Sequence, residues 1–241
     1  MDIAISTPGA RSLTSVAVDR LRGDILDGTL RPTERLRIQA LSEHYGIGAT
    51  AIREALSRLV ADGLVDSEDQ RGFCVTPVSR EDLVDLTQTR IEAESAALRL
   101  SVERGDIDWE SAVLSAFHRL QRTPPPTSPE LQAAWNVAHR QFHQALVAGC
   151  ASPWRLRLCR ILYDQSERYR SLANRYTSKQ NRDPMKEHRA LMEAMMARDG
   201  ELAVQLLAEH FWTTSDIILK AVFEENPKSR GPGRTRRKHA A

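Results

Sequence analysis

The chain has 241 residues, 41% of them hydrophobic and 27% charged, enough to bury one or two ordinary cores. No apolar run is long enough to cross a membrane, Met1–Ala10 lacks the basic start and apolar stretch of a secretory leader, and three scattered cysteines (Cys74, Cys150, Cys159) without a CxxC pair read as reduced thiols, half-buried or buried. The net charge of +2 hides an asymmetry: Lys228, Arg230, Arg234, Arg236, Arg237 and Lys238 give six positive charges after Asn226 with no acid among them, so the preceding chain stands at −4 and must bind any polyanion through placed arginines rather than bulk charge.

In chain order, residues 1–11 are polar with Gly and Pro and are expected to form a disordered arm. Leu13 to Leu26 is expected as a helix, with Val16, Leu21, Ile25 and Leu26 near one stripe. Arg35 to Tyr45 is expected as the next helix, with Leu36, Leu41 and Tyr45 inward, closed by Gly46 in a left-handed cap. The stretch from Tyr45 to Val65 carries the helix that organises the first half. Its apolar stripe is Ile52, Leu56, Leu59 and Val60; its opposite face is small, polar and basic, with Thr50, Arg53 and Ser57. Leu64 to Asp66 then reads as a strand, Asp69 to Gly72 as a turn, and Phe73 to Thr76 as a returning strand. Two helices at a short turn, followed by a hairpin with a basic tip, form a winged helix-turn-helix that enters the DNA major groove.

Pro77 closes the wing, and Ser79 caps a new helix supported by Asp82. From Arg80 onward the expected segments are 80–104, 107–122, 129–149, 153–175, 184–198 and 199–224, divided by Gly105, Pro124-Pro125-Pro126, Gly149 to Pro153, Asp183-Pro184 and Asp199-Gly200. The fold class is therefore mostly α: a winged helix over 12–78, an all-helical bundle of about six helices over 79–226, and a basic disordered tail over 227–241. Trp109, Trp135, Trp154 and Trp212 fall on helical stripes and are assigned to the core, as are Leu156, Leu158, Ile161 and Leu162. His44, His118 and His239 receive no functional role.

The other four histidines form a pattern. His139 and His143 are four apart on one helix, His188 follows Glu187 at the start of a later one, and His210 lies in the last. Imidazoles at i,i+4 suit a borderline divalent metal such as zinc or nickel, although the pair alone is equally compatible with a solvated face. Arg90 and Glu94, four apart on one helix, read by spacing alone as an ordinary surface i,i+4 ion pair. Arg168 and Arg170 are candidates to hold a carboxylate bidentately, the one that does not face inward being solvated.

Arg53-Glu54-Ala55-Leu56, Arg58-Leu59, Gly63-Leu64-Val65 and Arg71-Gly72-x-x-Val75, with Leu26-x-Gly28-x-Leu30-x-Pro32 upstream, resemble the winged helix of the GntR family of bacterial transcription regulators. Where that family usually has Ser-Arg-Thr-Pro, this chain has Gly48-Ala49-Thr50-Ala51, so Ala49 stands in place of a DNA-contacting arginine. Residues 80–224 resemble the FCD effector domain of the FadR subgroup, which implies a metal held by an Asp or Asn and three His. His143, His188 and His210 match its histidines, and His139 stands where the carboxylate usually is. The resemblance also places Arg90 of Arg90-x-x-x-Glu94 in the ligand cavity. The segment from Trp135 to His143 with Ser152-Pro153-Trp154 is similar to regulators of the carbon-starvation (glutarate) type.

These readings converge on a cytoplasmic, nucleoid-associated homodimeric regulator that binds a palindromic operator and is released by a small organic acid near a metal. Thr50, Arg53 and Ser57 would face the DNA, Arg37, Gln39 and Ser42 would approach its backbone, and Arg71 with Gly72 would carry the wing tip. A four-histidine site would be neutral apart from the metal, and so would favour an anionic effector. Two other readings stay open at this point. Glu187 beside a metal-bound water would make a hydrolase, and the basic tail alone would make a non-specific nucleic-acid binder.

Overall fold

The computed structural model describes residues 12–68, 71–174 and 182–224; the expected N-terminal arm, Asp69 and Gln70 of the wing turn, residue 175 and the basic tail lie outside them. The chain separates between Pro77 and Val78 into two compact units.

The first unit begins with α1 (Leu13–Leu26), whose N-terminus is capped by Ser12 Oγ accepting the Ser15 amide at 3.2 Å. Two short helices follow, α2 (Ile38–Tyr45) and α3 (Ala49–Ala61). Gly46 joins them at φ 65°, ψ 30°, the left-handed cap expected of a residue without Cβ. Ser42 Oγ donates to the Ile47 carbonyl at 2.7 Å, and the Ile47 amide donates back to the Ser42 carbonyl at 3.2 Å. The Ser42 hydroxyl is therefore spent inside the turn instead of being offered to a DNA backbone. Ile52, Leu56 and Leu59 of α3 are fully buried against Ala17, Leu21 and Ile25 of α1, the apolar stripe that leaves the opposite face of α3 to solvent.

A three-stranded antiparallel sheet completes the unit: β1 (Arg35–Leu36), β2 (Val65–Glu68) and β3 (Gly72–Val75), with β3 central. The register sets Leu36 opposite Phe73 and Val65 opposite Val75. Here the sequence expectation needs correcting. Arg35 and Leu36 are a strand, and α2 starts only after Arg37. A two-residue strand is too short to show alternation, so its Leu36 was indistinguishable from the first apolar position of a helix.

Among its described residues, every regular element of the second unit is a helix: α4 (Arg80–Arg104), α5 (Ile107–Arg122), α6 (Pro129–Ala148), α7 (Pro153–Asn174), α8 (Pro184–Met196), α9 (Gly200–Ile218) and a π-helical turn over Leu219–Glu224. Ser79, Asp106, Ser128, Asp183 and Asp199 each accept a first-turn amide, which is why the breaks fall where they do. Gly105 is required by packing: a Cβ there would lie 2.1 Å from the Trp109 ring. Trp109 is buried and donates from its indole to the Ala145 carbonyl at 3.0 Å, tying α5 to α6. Tyr169 of α7 is fully buried; its hydroxyl donates to Asp82 and accepts the Ser79 amide at 3.2 Å, pinning the start of α4.

Not every stripe is core. Trp154 is 78% exposed and Leu158 45% exposed, while Trp135 and Trp212 are half-buried. Periodicity marks one face of α7 but not the length over which it has a neighbour, and the first buried side chain of α7 is Cys159. None of the three cysteines is in a disulfide.

Replacing Gly46 tests the turn that aims α3. A Cβ there meets no atom within 4 Å, so Gly46→Ala carries only the left-handed backbone penalty. We expect it to destabilise the first unit by about 1–2 kcal/mol in urea unfolding, with Gly46→Asn less harmful. An unchanged midpoint would mean that the turn does not need its left-handed residue.

Candidate functional site: a buried four-histidine cluster

On the first unit, Thr50, Arg53 and Ser57 are exposed along α3, and Arg37, Gln39, Arg71 and Gly72 are exposed around it. Ser57 Oγ donates to the Arg53 carbonyl at 3.1 Å, which satisfies its hydroxyl proton within the helix. Glu54 is tied to Arg58 at 2.5 Å and accepts from Thr14 at 3.0 Å, so the one acid on this stretch of α3 is held to neighbours while Arg53 faces solvent. Gly72 takes φ 82° at the wing, where a glycine backbone is needed.

On the second unit, the four histidines come together. α6 supplies His139 and His143 one turn apart, α8 supplies His188 and α9 supplies His210. All are buried, and one nitrogen from each lies within 4.8 Å of the others. This excludes the solvated-face reading of the i,i+4 pair. Nδ1 of His143 and both nitrogens of His188 have no hydrogen-bond partner, and the His139 and His143 Nε2 atoms are 3.2 Å apart. Buried imidazole nitrogens left unsatisfied cost about 1–3 kcal/mol each, and a cation at the centre would satisfy the one nitrogen of a ring that faces it. Tetrahedral zinc–imidazole bonds of about 2.0–2.1 Å place nitrogens roughly 3.3 Å apart, so the set fits such an ion after a modest contraction.

The outer nitrogens are held by named partners. His210 Nδ1 lies 2.7 Å from Glu187 Oε2, and Arg182 grips Glu187 through both carboxylate oxygens at 2.7 and 2.6 Å. Arg182 also donates to Thr214 at 2.9 Å. Burial alone would raise the Glu187 carboxyl, but the hydrogen bonds from Arg182 and His210 outweigh it and hold the group down at about 2. Glu187 is thus a clamped carboxylate, not the free base a hydrolase would need. At the other end, His139 stacks on Trp135 at 4.6 Å, and its Nδ1 meets both Tyr163 Oη and Arg170 Nη1 at 2.8 Å.

A cavity of about 460 Å³ opens beside the cluster. The four histidines, Arg90, Arg170 and Arg182 line it, with apolar wall from Trp135, Met185, Phe211 and Ile218. Arg90 and Glu94 are buried and bonded at 2.9 Å, and Arg90 also donates to Ser166 at 2.8 Å and lies 3.9 Å above the Phe211 ring. They are a cavity pair, and the surface reading is excluded by burial. Of the two α7 arginines, Arg170 reaches the cavity. Arg168 is not among the lining residues, yet it is buried rather than solvated, donating to Gln165 at 2.6 Å. Tyr163 and Arg182 were missed from sequence. Tyr163 sits on the α7 stripe like any core aromatic, and Arg182 stands just before the Asp183-Pro184 cap, where nothing in the pattern distinguishes it.

Each arginine lining the site has a carboxylate partner before any ion is counted, and burial pushes the carboxyl of one partner, Glu94, upward against the pull of Arg90. Arg90 pairs with Glu94, Arg170 with Glu167 at 3.3 Å and Arg182 with Glu187. The histidines add none: burial first, and then the other imidazoles and the arginines around them, hold His139, His143 and His188 well below the ordinary imidazole value, and His210 is lowered despite Glu187.

Residues 13–75 match the family described as bacterial regulatory proteins, gntR family, and residues 85–212 match the FCD domain. The uncharacterized HTH-type transcriptional regulator BphR of Paraburkholderia xenovorans (strain LB400) is 42% identical over 211 residues, spanning 86% of each chain. The HTH-type transcriptional repressor GlaR of Escherichia coli (strain K12) is 34% identical over 206 residues, spanning 84% of this chain and 94% of that protein. The solved structure of E. coli McbR/YncC shares the fold, with a TM-score of 0.76 at 23% identity over 88% of this chain and 99% of that one.

The depressed histidines predict a pH dependence for the metal-free protein. Below about pH 6.5 the unfolded chain takes up protons that the folded site refuses, so stability falls with falling pH, by up to about 1.4 kcal/mol per pH unit for each histidine still neutral in the fold. Above that value both states are neutral and the effect vanishes. Urea unfolding of the second unit at about pH 7.5 and about pH 5.5 should show the loss, with a shallower slope in His188→Gln. Equal midpoints at both values would contradict burial of neutral imidazoles.

Proposed function

The chain belongs to the gntR family of bacterial regulatory proteins, with an FCD domain behind its winged helix, and we propose that this transcriptional regulator is a repressor released from DNA by a small organic acid bound beside a histidine-held metal. The family is one of DNA-binding regulators rather than enzymes. The observation that carries the effector half of this reading is the convergence of four buried histidines, with unsatisfied nitrogens, on a cavity lined by arginines.

FCD domains are often metal-associated, and His139, His143, His188 and His210 are the residues that would hold the ion here, zinc or nickel by donor type. A divalent ion supplies the site with two positive charges. The arginines are already paired and the imidazoles neutral, and no carboxylate among the described residues lines the cavity, so a carboxylate ligand would offset that charge. Arg90 and Arg170 orient it, and the apolar wall receives its carbon chain.

On the DNA side, the regulator acts as a homodimer in the cytoplasm, each winged helix reading one half of a palindrome. Thr50 and Arg53 contact bases or phosphates from α3, with Ser57 further along the same face. Arg37 and Gln39 approach the backbone, and Arg71 with Gly72 carries the wing. Acid binding has to favour the dimer arrangement that fits DNA poorly, because a ligand with equal affinity for both arrangements shifts nothing.

Two measurements test this. Arg53→Ala should weaken operator binding by about 1–3 kcal/mol, up to two decades, at unchanged melting temperature, as for a base-reading arginine; equal affinity at fixed salt in a gel-shift titration would remove Arg53 from the interface. Elemental analysis after dialysis should find about one divalent transition metal per chain, sharply reduced in His143→Ala, His188→Ala and His210→Ala, with chelator lowering the melting temperature. Metal-free wild type in a metal-replete preparation would overturn the effector reading.

A further inference from the structure

Helical serines and threonines in this protein have a regular use for their proton. Thr87, Ser101, Ser111 and Thr214 each donate to the carbonyl four residues back, at 2.7 to 2.9 Å. Ser215 of α9 does not. It is 2% exposed, lines the cavity, and its Oγ has no hydrogen-bond partner. The same bond, to the Phe211 carbonyl, is open to any helical residue at this position, so the Ser215 hydroxyl is turned away from its own helix. Ser95 Oγ is also unpartnered, but Ser95 does not line the cavity. A buried hydroxyl left in this state costs free energy that a polar atom of a ligand would recover.

What lies across from it follows from helix register. Arg99 pairs with Glu201, Arg90 lies on the Phe211 ring and Arg80 pairs with Glu224. α4 therefore runs antiparallel to α9 and its π-helical extension, with Thr87 level with Ser215. Thr87 is buried and also lines the cavity; its proton is spent on the Leu83 carbonyl, so it offers only lone pairs. Beyond this level the cavity wall is apolar, from Leu83, Ala173 and Ile218, which belong to one packed cluster. On the other side stand Arg90 and Phe211. Phe211 and Ser215 are about 6 Å apart along the helix axis, and an extended chain advances about 1.2 Å per bond.

We propose that the effector is a hydroxy acid whose carboxylate lies at the Arg90 end and whose hydroxyl, on about the fifth carbon, bridges Ser215 and Thr87. This rests on the reading above of an acid bound beside the metal. A hydroxyl both accepts and donates, so it takes the Ser215 proton and gives its own to Thr87. A ketone there only accepts, and a second carboxylate sets its lone pairs against those of Thr87. An unsubstituted acid leaves Ser215 as unsatisfied as before. A short apolar end beyond the hydroxyl packs on Leu83, Ala173 and Ile218. A site built to bond a ligand hydroxyl rejects the analogue that lacks it, which makes this level of the cavity the one that selects among acids of equal length.

The test is calorimetric titration of the Zn²⁺-loaded full chain with a set of six-carbon acids: hexanoate, 3-hydroxyhexanoate, 5-hydroxyhexanoate, 5-oxohexanoate and hexanedioate. 5-Hydroxyhexanoate should bind about tenfold or more tighter than hexanoate, and tighter than each of the others. Ser215→Ala should bring its affinity down to about that of hexanoate and leave hexanoate itself unchanged. The same substitution should raise the melting temperature of the ligand-free protein, because it removes an unsatisfied buried hydroxyl. A fall in that temperature would make Ser215 a structural residue and overturn the proposal. Equal or tighter binding of any other acid in the set by wild type, or a preference for 5-hydroxyhexanoate that survives Ser215→Ala, also overturns it and leaves the acid reading standing. Binding of none of these acids overturns both.

Discussion

Four neutral imidazoles buried together, with three of their nitrogens unsatisfied, are the constraint on which the second unit depends. α6, α8 and α9 could pack more cheaply around leucines, and nothing in the hydrophobic core requires polar rings there. The arrangement persists because the surrounding helices over-determine it: Trp109 ties α5 to α6, the Asp183 and Asp199 caps set where α8 and α9 begin, and Phe142 and Phe211 pack beside the rings. A buried polar site left unsatisfied in this way is held against its own cost by the packing around it.

Around that cluster the arginines do different work although their sequence contexts look alike. Arg90 is fixed on Glu94 and Ser166, Arg182 fixes Glu187 and through it His210, and Arg170 rests on a histidine. Two of the three therefore stiffen the site, and the third is poised between two partners. The division leaves most of the pocket rigid around its buried imidazoles and one cation less firmly tied. Pairing each cation with its own carboxylate matters as much, because an unpaired buried arginine would already attract the anion without any metal.

The first unit follows a simpler rule. α3 buries Ile52, Leu56 and Leu59 and so must expose Thr50, Arg53 and Ser57, and the Gly46 turn with its Ser42–Ile47 bonds fixes the angle at which it does so. Arg37 and Arg71 are exposed around that face, in a chain whose net charge before its tail is negative.

The sequence by itself determined the order and type of nearly every element, because caps, glycines and apolar periodicity are local signals: Ser79, Asp106, Gly46 and the α3 stripe each act within a few residues. It also determined that His139 and His143 share a face, since a helical turn guarantees it. Only the tertiary structure decided what those faces meet. The strand at Arg35–Leu36 exists because β3 is there to pair with it. Trp154 is exposed because α7 begins before any neighbour covers it, and Arg168 is buried although its spacing matches a solvated charge. Tyr163 and Arg170 converging on one nitrogen of His139, and Arg182 closing over Glu187, depend on contacts between residues far apart in the chain. Periodicity tells which side of a helix is apolar; it carries no information about which polar atom will face which, and in this protein that pairing decides the chemistry.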